Sequence, residues 1–279
     1  YRKKGYQIPE SGKTAKGTNI VNILQVEQGK RIQAMFHTRN IEDEENRYLM
    51  MFTRNGTVKR LPVGTLKNLR NNGIRAITLE EDDQLISVRE TDGTRKILIA
   101  THDGQAICFD ENDARVVGRA ARGVKAITLD EGDEVVGMSI RREGGLLLTV
   151  TETGYGRLSE LTDYRIQSRG GKGTINYRTE TYGDVAAIAV VDESEDVISE
   201  GIIIRMQACE IRLCRRPSKG VRVMRVEEGD RIVSLARMPH EEEQPEEEST
   251  EEAGESAVPD ADEAPAGAPK AEEPSQPET

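Results

Sequence analysis

Short apolar runs separated by polar turns recur along the first 239 residues. Runs 48–52 and 96–100 are each followed within a few residues by a turn pair, Asn55-Gly56 and Asp103-Gly104. Asn-Gly and Asp-Gly between apolar runs are typical of two-residue β-hairpin turns, because both turn residues need a positive φ. The runs are too short and too rich in β-branched residues for helices, so the pattern predicts antiparallel hairpins.

Three markers repeat in a fixed order with one period of about 50 residues. The first is the glycine of the hairpin turn, and its copies are separated by 48, 50 and 47 residues. The second is a basic or polar residue, a glycine and a short apolar strand, with separations of 56, 50, 50 and 47 residues. The third is an acidic turn before a strand. The first-marker glycines are Gly56, Gly104, Gly154 and Gly201, the second-marker glycines are Gly17, Gly73, Gly123, Gly173 and Gly220, and the acidic turns lie at 81–83, 131–134 and 228–230.

A further apolar run in each unit, such as 85–88 or 134–138, brings the number of strands to about four per repeat. Four strands in about 50 residues is the size of a propeller blade. We therefore predict an all-β, propeller-like disc of about five to six four-stranded blades over residues 1–239. We expect the first blade to be truncated, because the chain begins partway through a unit, and the last hairpin, near 196–205, to be shortened.

The net charge of -11 conceals two different parts of the chain. Residues 240–279 hold fifteen Asp and Glu and one Lys, whereas residues 1–239 hold 38 basic and 35 acidic residues. The acidic part is rich in Glu, Pro, Ala and Ser and has no aromatic residue, so we predict a disordered tail. Two hypotheses for the tail remain open: competition with DNA for a basic surface, or solubility alone.

Basic residues concentrate in one phase of the repeat, between the hairpin and the second glycine marker. In a radial array one phase occupies one part of the disc, so the pattern predicts a continuous basic band. Duplex DNA is bound mainly through its phosphates, and a basic band on a convex rim would bend it. The alternative is that the charges merely coat the loops of a β-protein. The residues predicted to bind DNA are Lys16, Lys59, Arg60, Lys67, Arg70, Arg75, Arg115, Arg119, Arg122, Lys125, Arg157, Arg165, Arg169, Lys172, Arg212, Arg215, Arg216 and Lys219.

Other kinds of chemistry find little support in the sequence. The three cysteines have no paired spacing and the three histidines are scattered, which argues against a disulfide framework and a zinc site. No apolar run approaches the length of a membrane span. No convergent set of catalytic side chains is visible, so we predict neither catalytic nor metal-binding residues.

Several motifs, in order, resemble the C-terminal domain of the DNA gyrase A protein. They are Tyr1 to Pro9, Ala15-Lys16-Gly17 with Ile20 to Leu24, Asn55 to Arg60, Gly118 to Gly123, and Thr153 to Arg157. The resemblance implies a β-pinwheel whose blades exchange strands, and a rim that wraps double-stranded DNA for ATP-dependent negative supercoiling by a type II topoisomerase. It also implies a bacterial, cytoplasmic, nucleoid-associated assembly with the gyrase B protein and the N-terminal part of the gyrase A protein. The nucleophilic tyrosine, ATP and Mg²⁺ belong to other domains of such an enzyme, so no cofactor is expected in this chain.

Residues Gln167 to Gly173 are similar to the family's gyrase A box, with Ser168 in place of an arginine. In the family the box precedes the segment that matches Tyr1 to Pro9, so we interpret 167–173 as an equivalent loop of a later blade. Three alternatives to the gyrase assignment stay open: the corresponding domain of topoisomerase IV, a protein-interaction propeller, and an enzyme scaffold. The absence of Trp argues against the Trp-Asp type of interaction propeller.

Overall fold

We describe the fold from a computed structural model of the chain. It describes residues 1–239 except 13, 25, 27–31, 37–45, 68, 70–72, 201–203 and 228, and the side chains of 199 and 200 are also outside the description. The described residues belong to one compact unit, Tyr1–His240. Residues 240–279, the predicted tail, lie outside the described part. None of the helices in the described residues is long and apolar enough to cross a membrane.

Strands dominate the described residues from position 48 onward, as the hairpin pattern predicts. The strands are β1 Tyr48–Thr53, β2 Thr57–Pro62, β3 Leu85–Thr91, β4 Lys96–Thr101, β5 Gln105–Asp110, β6 Val124–Lys125, β7 Val135–Arg141, β8 Leu146–Thr151, β9 Tyr155–Glu160, β10 Thr174–Ile175, β11 Val185–Val191, β12 Glu195–Glu200, β13 Arg205–Gln207, β14 Val221–Arg222 and β15 Ser234–Pro239. The short helices are α1 Ile20–Ile23 and α2 Thr179–Tyr182, and 3-10 turns occupy Gly5–Gln7, Val63–Leu66, Glu111–Asp113, Leu161–Asp163 and Ala208–Glu210.

Successive sheets exchange strands. Blade 1 has the order β3-β1-β2-β6, blade 2 β10-β5-β4-β7, and blade 3 β11-β8-β9-β14. In each, two strands form a hairpin, a third lies beside the hairpin's first strand, and a two-residue strand from the next unit of the chain pairs with its second strand. The strand exchange implied by the family resemblance is therefore present in three consecutive blades.

The core lies between successive blades. One apolar cluster joins Met50 and Phe52 of blade 1 to Ile97 and Ile99 of blade 2, and all four side chains are buried. Equivalent clusters join blade 2 to blade 3, and blade 3 to the last sheet. Thin sheets with cores shared between neighbours explain how a chain with few aromatic residues buries enough apolar surface.

Two expectations about strands are wrong within the described residues. The segments after Gly17 and Gly73 form no strand, and residues 20–23 instead form α1, whose first turn is capped because the Asn19 side chain accepts a hydrogen bond from the Val21 amide. A two-residue strand exists only by pairing with an edge, and no described strand of the first unit offers one. The last sheet, blade 4, has the order β13-β12-β15, with three strands rather than four.

The shortened last hairpin is confirmed. The second strand of this hairpin, β13, has three residues, whereas β2, β5 and β9 have six each. The pairing of β12 with β13 covers three residues on each strand. This sheet therefore offers a shorter edge than blades 1 to 3.

Candidate nucleic-acid interface

Three equivalent stretches of chain carry most of the predicted DNA-binding residues. We call them the crossover segments: residues 115–125, 165–175 and 212–222. Each leaves the hairpin of its own blade and first meets the second hairpin strand of the preceding blade in a parallel bridge, at Val116, Ile166 or Leu213. The segment then makes a loop and returns along the same strand as β6, β10 or β14. The repeat therefore places the same kind of loop at the same edge of three blades.

The basic residues of the crossover segments are in register. Three successive positions are basic in every segment: Arg115, Arg165 and Arg212; Arg119, Arg169 and Arg216; Arg122, Lys172 and Lys219. All are exposed except Arg169 and Arg216, which are half-buried. Lys125 and Arg215 add two further exposed cations to the first and third segments. Three positive positions at matching places in three segments form the geometry that phosphate binding requires.

The segments touch one another directly. Arg169 donates to the backbone oxygen of Lys125 at 2.7 Å, and Arg216 donates to that of Ile175 at 2.8 Å. These two contacts are equivalent, since each joins the loop of one segment to the returning strand of the previous one. The basic side chains therefore belong to a contiguous row, as the band hypothesis requires, and Arg169 and Arg216 also fasten that row together.

Two of the exposed cations already pair with acidic residues of the other phase. Arg122 contacts Glu80 and Lys172 contacts Asp130, and all four side chains are well exposed. Exposed ion pairs of this kind contribute about 0 to 1 kcal/mol. A DNA phosphate can therefore replace either carboxylate at little loss.

The structure corrects the prediction for Lys59 and Arg157, because both side chains are 0% exposed. The Lys59 Nζ donates to the backbone oxygens of Ala76, Arg119 and Ala121 at 2.7, 2.6 and 2.8 Å. Burial lowers the pKa of this ammonium group. Lys59 thus lies behind the first crossover loop and holds its backbone.

Arg157 does the same in blade 3. Its guanidinium donates to the backbone oxygens of Asn176 and, at 3.1 Å, Ser218. Asn176 and Ser218 occupy the repeat positions of Ala76 and Ala121, so the two cations hold equivalent loops through equivalent carbonyls. Neither side chain reaches the surface, and their role is to position the loop that carries the exposed cations.

Arg60 is also wrong as a surface residue, since it is 5% exposed. Its Nη1 donates to Asn112 at 2.7 Å, its Nε lies 3.7 Å from the buried Glu111 carboxylate, and its guanidinium stacks 3.8 Å over the Tyr48 ring. The residue therefore joins blade 1 to the 3-10 turn of blade 2. Sequence alone does not separate it from Arg119 or Arg122, because the difference is made by a partner 51 positions away.

The remaining predicted residues divide into two groups. Lys16, Lys67 and Arg75 are exposed and lie before the first crossover segment in the chain. Arg70 lies outside the described residues, so its place stays a prediction.

The loop that resembles the gyrase A box is the crossover loop of blade 2. In this blade Ile107 replaces the buried cation, and the loop is held through its own backbone. Gly170 donates its amide to Ala126 at 2.6 Å, and Thr128 donates its amide to Gly171 and its hydroxyl to Gly170. The two adjacent glycines let the loop satisfy carbonyls that Lys59 satisfies in blade 1. This geometry supports the interpretation of 167–173 as a repeat-equivalent loop.

The second-marker glycine has a structural cause in these segments. At Gly173, where φ is 82°, an added Cβ would lie 2.3 Å from the backbone oxygen of Ala106. At Gly123 and Gly220 the corresponding distances are 2.6 Å to Val58 and 2.2 Å to Gly156. Any side chain at this position would push the donated strand off the blade that receives it.

One cluster that the sequence did not suggest could hold a divalent cation. The ligand atoms of His102, Asp103 and Asp184 lie within 4.8 Å of one another, and Glu152 lies 3.7 Å from the same histidine. Burial and the nearby Asp133 carboxylate raise the pKa of Asp103. These partly exposed groups already pair with each other at the hairpin tips. The scattered spacing of the histidines concealed the cluster, because His102 and Asp184 are 82 positions apart.

Comparison with known proteins agrees with this geometry. A family model described as DNA gyrase C-terminal domain, beta-propeller, matches residues 1–25, 47–92, 95–140, 145–192 and 199–237. The DNA gyrase A protein of Clostridium acetobutylicum is 42% identical over 242 residues, which is 85% of this chain and 29% of that protein. The corresponding protein of Halalkalibacterium halodurans is 48% identical over 258 residues, 90% of this chain and 31% of that protein.

Two solved structures share the fold. The C-terminal domain of a DNA topoisomerase IV superposes with a TM-score of 0.77 at 27% identity, covering 84% of this chain and 74% of that one. A DNA gyrase A C-terminal domain superposes with a TM-score of 0.71 at 23% identity, covering 80% and 75%. The chain spans less than a third of the two curated gyrase proteins described above. Its five matched repeats and its exchanged strands show that it belongs to the family of DNA gyrase C-terminal domains with a β-propeller fold.

Proposed function

We propose that this chain binds duplex DNA along the row of crossover segments and bends it. The observation that carries the proposal is the in-register set of exposed cations on three segments that touch one another. Several adjacent phosphate contacts give affinity without sequence specificity. Because each blade presents the same loop, a duplex that follows the row meets the same contacts in succession.

Within a whole enzyme, the bent DNA would serve topoisomerase chemistry. The curated relatives are gyrase A proteins about three times longer than the matched region, and they support a role in ATP-dependent negative supercoiling. We propose that the partners are the gyrase B protein and the N-terminal part of the gyrase A protein, in the bacterial cytoplasm at the nucleoid. The catalytic tyrosine, ATP and Mg²⁺ would then act in those other parts, with no cofactor held by this chain.

We propose a division of the chain into a DNA-binding domain, residues 1–239, and an acidic tail, residues 240–279. The tail carries fifteen carboxylates against one lysine, so it is complementary in charge to the crossover segments. It would compete with DNA for the row. Removing residues 240–279 should tighten DNA binding most at low salt, where electrostatic competition is least screened.

The proposal is tested by measuring affinity for a labelled duplex of random sequence across a salt series. We expect log Kd to depend on log salt concentration with a slope magnitude of about 5 or more. Replacing Arg122, Lys172 and Lys219 together by Gln should reduce that magnitude by about 0.9 per lost contact. The matched control replaces Arg54, Arg95 and Arg237, which are exposed and paired but lie outside the segments. Equal losses in both triple variants would contradict the assignment of the row.

The superposition on a topoisomerase IV domain supports a second candidate, a module that binds DNA but wraps it less. The two candidates differ in bending rather than in binding. A chain that binds with a steep salt dependence and leaves the duplex straight would favour the second candidate.

A further inference from the structure

Each crossover segment exposes an aliphatic side chain at the same position. Val116, Ile166 and Leu213 are 47%, 51% and 48% exposed. Exposed aliphatic residues scattered singly over a surface need no explanation. These three recur in register, at the parallel bridge where each segment first meets the preceding blade.

The local structure does not use these side chains for the core. Two positions earlier in each segment lies a buried residue, Ala114, Tyr164 or Ile211, which contributes to the apolar clusters. The aliphatic residue follows it on the open side of the chain. A position that is apolar three times and half-exposed three times points to a ligand surface that is itself partly apolar.

The residue before each aliphatic one is an exposed arginine: Arg115, Arg165 or Arg212. Among the described residues none of the three has an acidic partner within ion-pair distance, unlike Arg122 and Lys172. Each segment therefore presents one unneutralised guanidinium beside one exposed aliphatic group. This pair is repeated in blades 1 to 3.

We infer that these arginine–aliphatic pairs contact the minor groove of the bent duplex. The arginine enters the groove, where the negative potential is strongest when the groove is narrow, and the aliphatic group packs on the deoxyribose of its wall. Phosphates alone offer no apolar surface to Val116, Ile166 or Leu213, whereas the sugars that line the minor groove do. DNA that bends toward a protein narrows the minor groove that faces it, so the pairs favour deformable A·T-rich steps there.

This inference rests on the proposed DNA binding and predicts a distinct signature. Replacing Val116, Ile166 and Leu213 by Ser should raise Kd about threefold each, and on the order of 30-fold together, at every salt concentration. The slope of log Kd against log salt should stay unchanged, since no phosphate contact is lost. The matched control is Val233→Ser, because Val233 is 61% exposed and lies outside the segments.

The groove is identified with two modified binding assays. Netropsin, which occupies A·T minor grooves, should weaken DNA binding by the unmodified chain and have less effect on the triple Ser variant. Replacing thymine by uracil in the duplex removes the major-groove methyl group and should leave the affinities of both proteins unchanged.

The inference is overturned if the triple variant binds as tightly as the unmodified chain, or if the uracil duplex reproduces the loss. A change in salt slope equal to that of the Arg122, Lys172 and Lys219 variant would also overturn it. Failure of the unmodified chain to bind DNA even at low salt would instead overturn the proposed function on which the inference rests. Thermal melting of each variant verifies that the fold is unchanged.

Discussion

Blades 1 and 2 present the same crossover loop but hold it in different ways. In blade 1 the buried Lys59 donates to three backbone oxygens of the loop and its surroundings. In blade 2 Ile107 takes that position, and the amides of Gly170 and Thr128 satisfy the corresponding carbonyls. The first solution buries a charge, and the second needs a glycine with φ of 84°.

The comparison shows that the repeat preserves a geometry rather than a set of side chains. Buried carbonyls must be hydrogen-bonded, and either an ammonium group or a closely approaching backbone amide can do it. Arg157 in blade 3 follows the Lys59 solution, with its guanidinium on two carbonyls. The box-like sequence at 167–173 is therefore explained by the lack of a cation behind it.

The largest effect is expected for Gly173→Ala, where the donated strand of blade 2 begins. The new Cβ would lie 2.3 Å from the Ala106 oxygen at a positive φ, so we expect a loss of about 3 to 4 kcal/mol in the free energy of unfolding. Urea denaturation measures it. The control is Gly132→Ala, with φ of 84° and open space around the Cβ, which should cost about 1 to 2 kcal/mol. Equal losses would show that strand donation tolerates a side chain.

Lys59→Met should come next, because it leaves the carbonyls of Ala76 and Arg119 without their buried donor. We expect a loss of about 2 to 3 kcal/mol. Ile107→Met at the equivalent position of blade 2 should lose less than about 1.5 kcal/mol. Hydrogen exchange should also speed up at residues 118–121 in the Lys59 variant. A loss at Lys59 no larger than at Ile107 would mean that the cation does not hold the loop.

Gly170→Ala tests the other solution. Its Cβ would come no closer than 3.7 Å to the Lys125 oxygen, so the cost is backbone strain alone, about 1 to 2 kcal/mol. Ala120 occupies the equivalent place in blade 1 without a positive φ. Denaturation of a double variant with Ile107→Lys adds a sharper comparison. If a buried cation can substitute for the glycine, the second substitution recovers stability; an additive loss would contradict that exchange.

The smallest effect concerns the hairpin tips. Burial and Asp133 raise the pKa of Asp103, so its carboxylate destabilises the folded state when charged. Asp103→Asn should therefore stabilise the protein by a few tenths of a kcal/mol at pH 7, since the side chain is about half exposed. Asn55 at the same position of blade 1 shows that the turn accepts asparagine.

The pH dependence has a definite sign. A raised carboxyl pKa means that the folded state binds the proton more tightly, so the penalty on the unmodified chain is fully present above the folded pKa. It disappears as the pH falls below the ordinary value of 3.8. Melting temperatures of both proteins against pH should converge at low pH, and a constant difference would contradict the electrostatic cause.

Local chemistry predicted the hairpins well. The turns at Gly56, Gly104 and Gly154 join β1 to β2, β4 to β5 and β8 to β9, because turn glycines and short apolar runs act over a few residues. The donated strands were visible as strands after Gly123, Gly173 and Gly220. Their partners were not, since a two-residue strand carries no information about an edge some 65 residues earlier.

Burial of charge was the main failure of sequence reasoning. Lys59 and Arg122 look alike in the sequence, yet one is enclosed by three carbonyls and the other is exposed beside Glu80. Strand alternation gives no warning, because Val58, Lys59 and Arg60 are all buried between the hairpin and the crossover segment. A strand that is covered on both faces and at its edge loses the inside–outside signal.

The most direct test of DNA bending is end-to-end fluorescence energy transfer on a random-sequence duplex bound to this chain. We expect energy transfer to rise on binding, because the duplex follows successive crossover segments. The rise should be smaller for the chain with Arg122, Lys172 and Lys219 replaced by Gln, and unchanged for the control triple. Saturating binding with unchanged energy transfer would contradict the claim that these segments bend DNA.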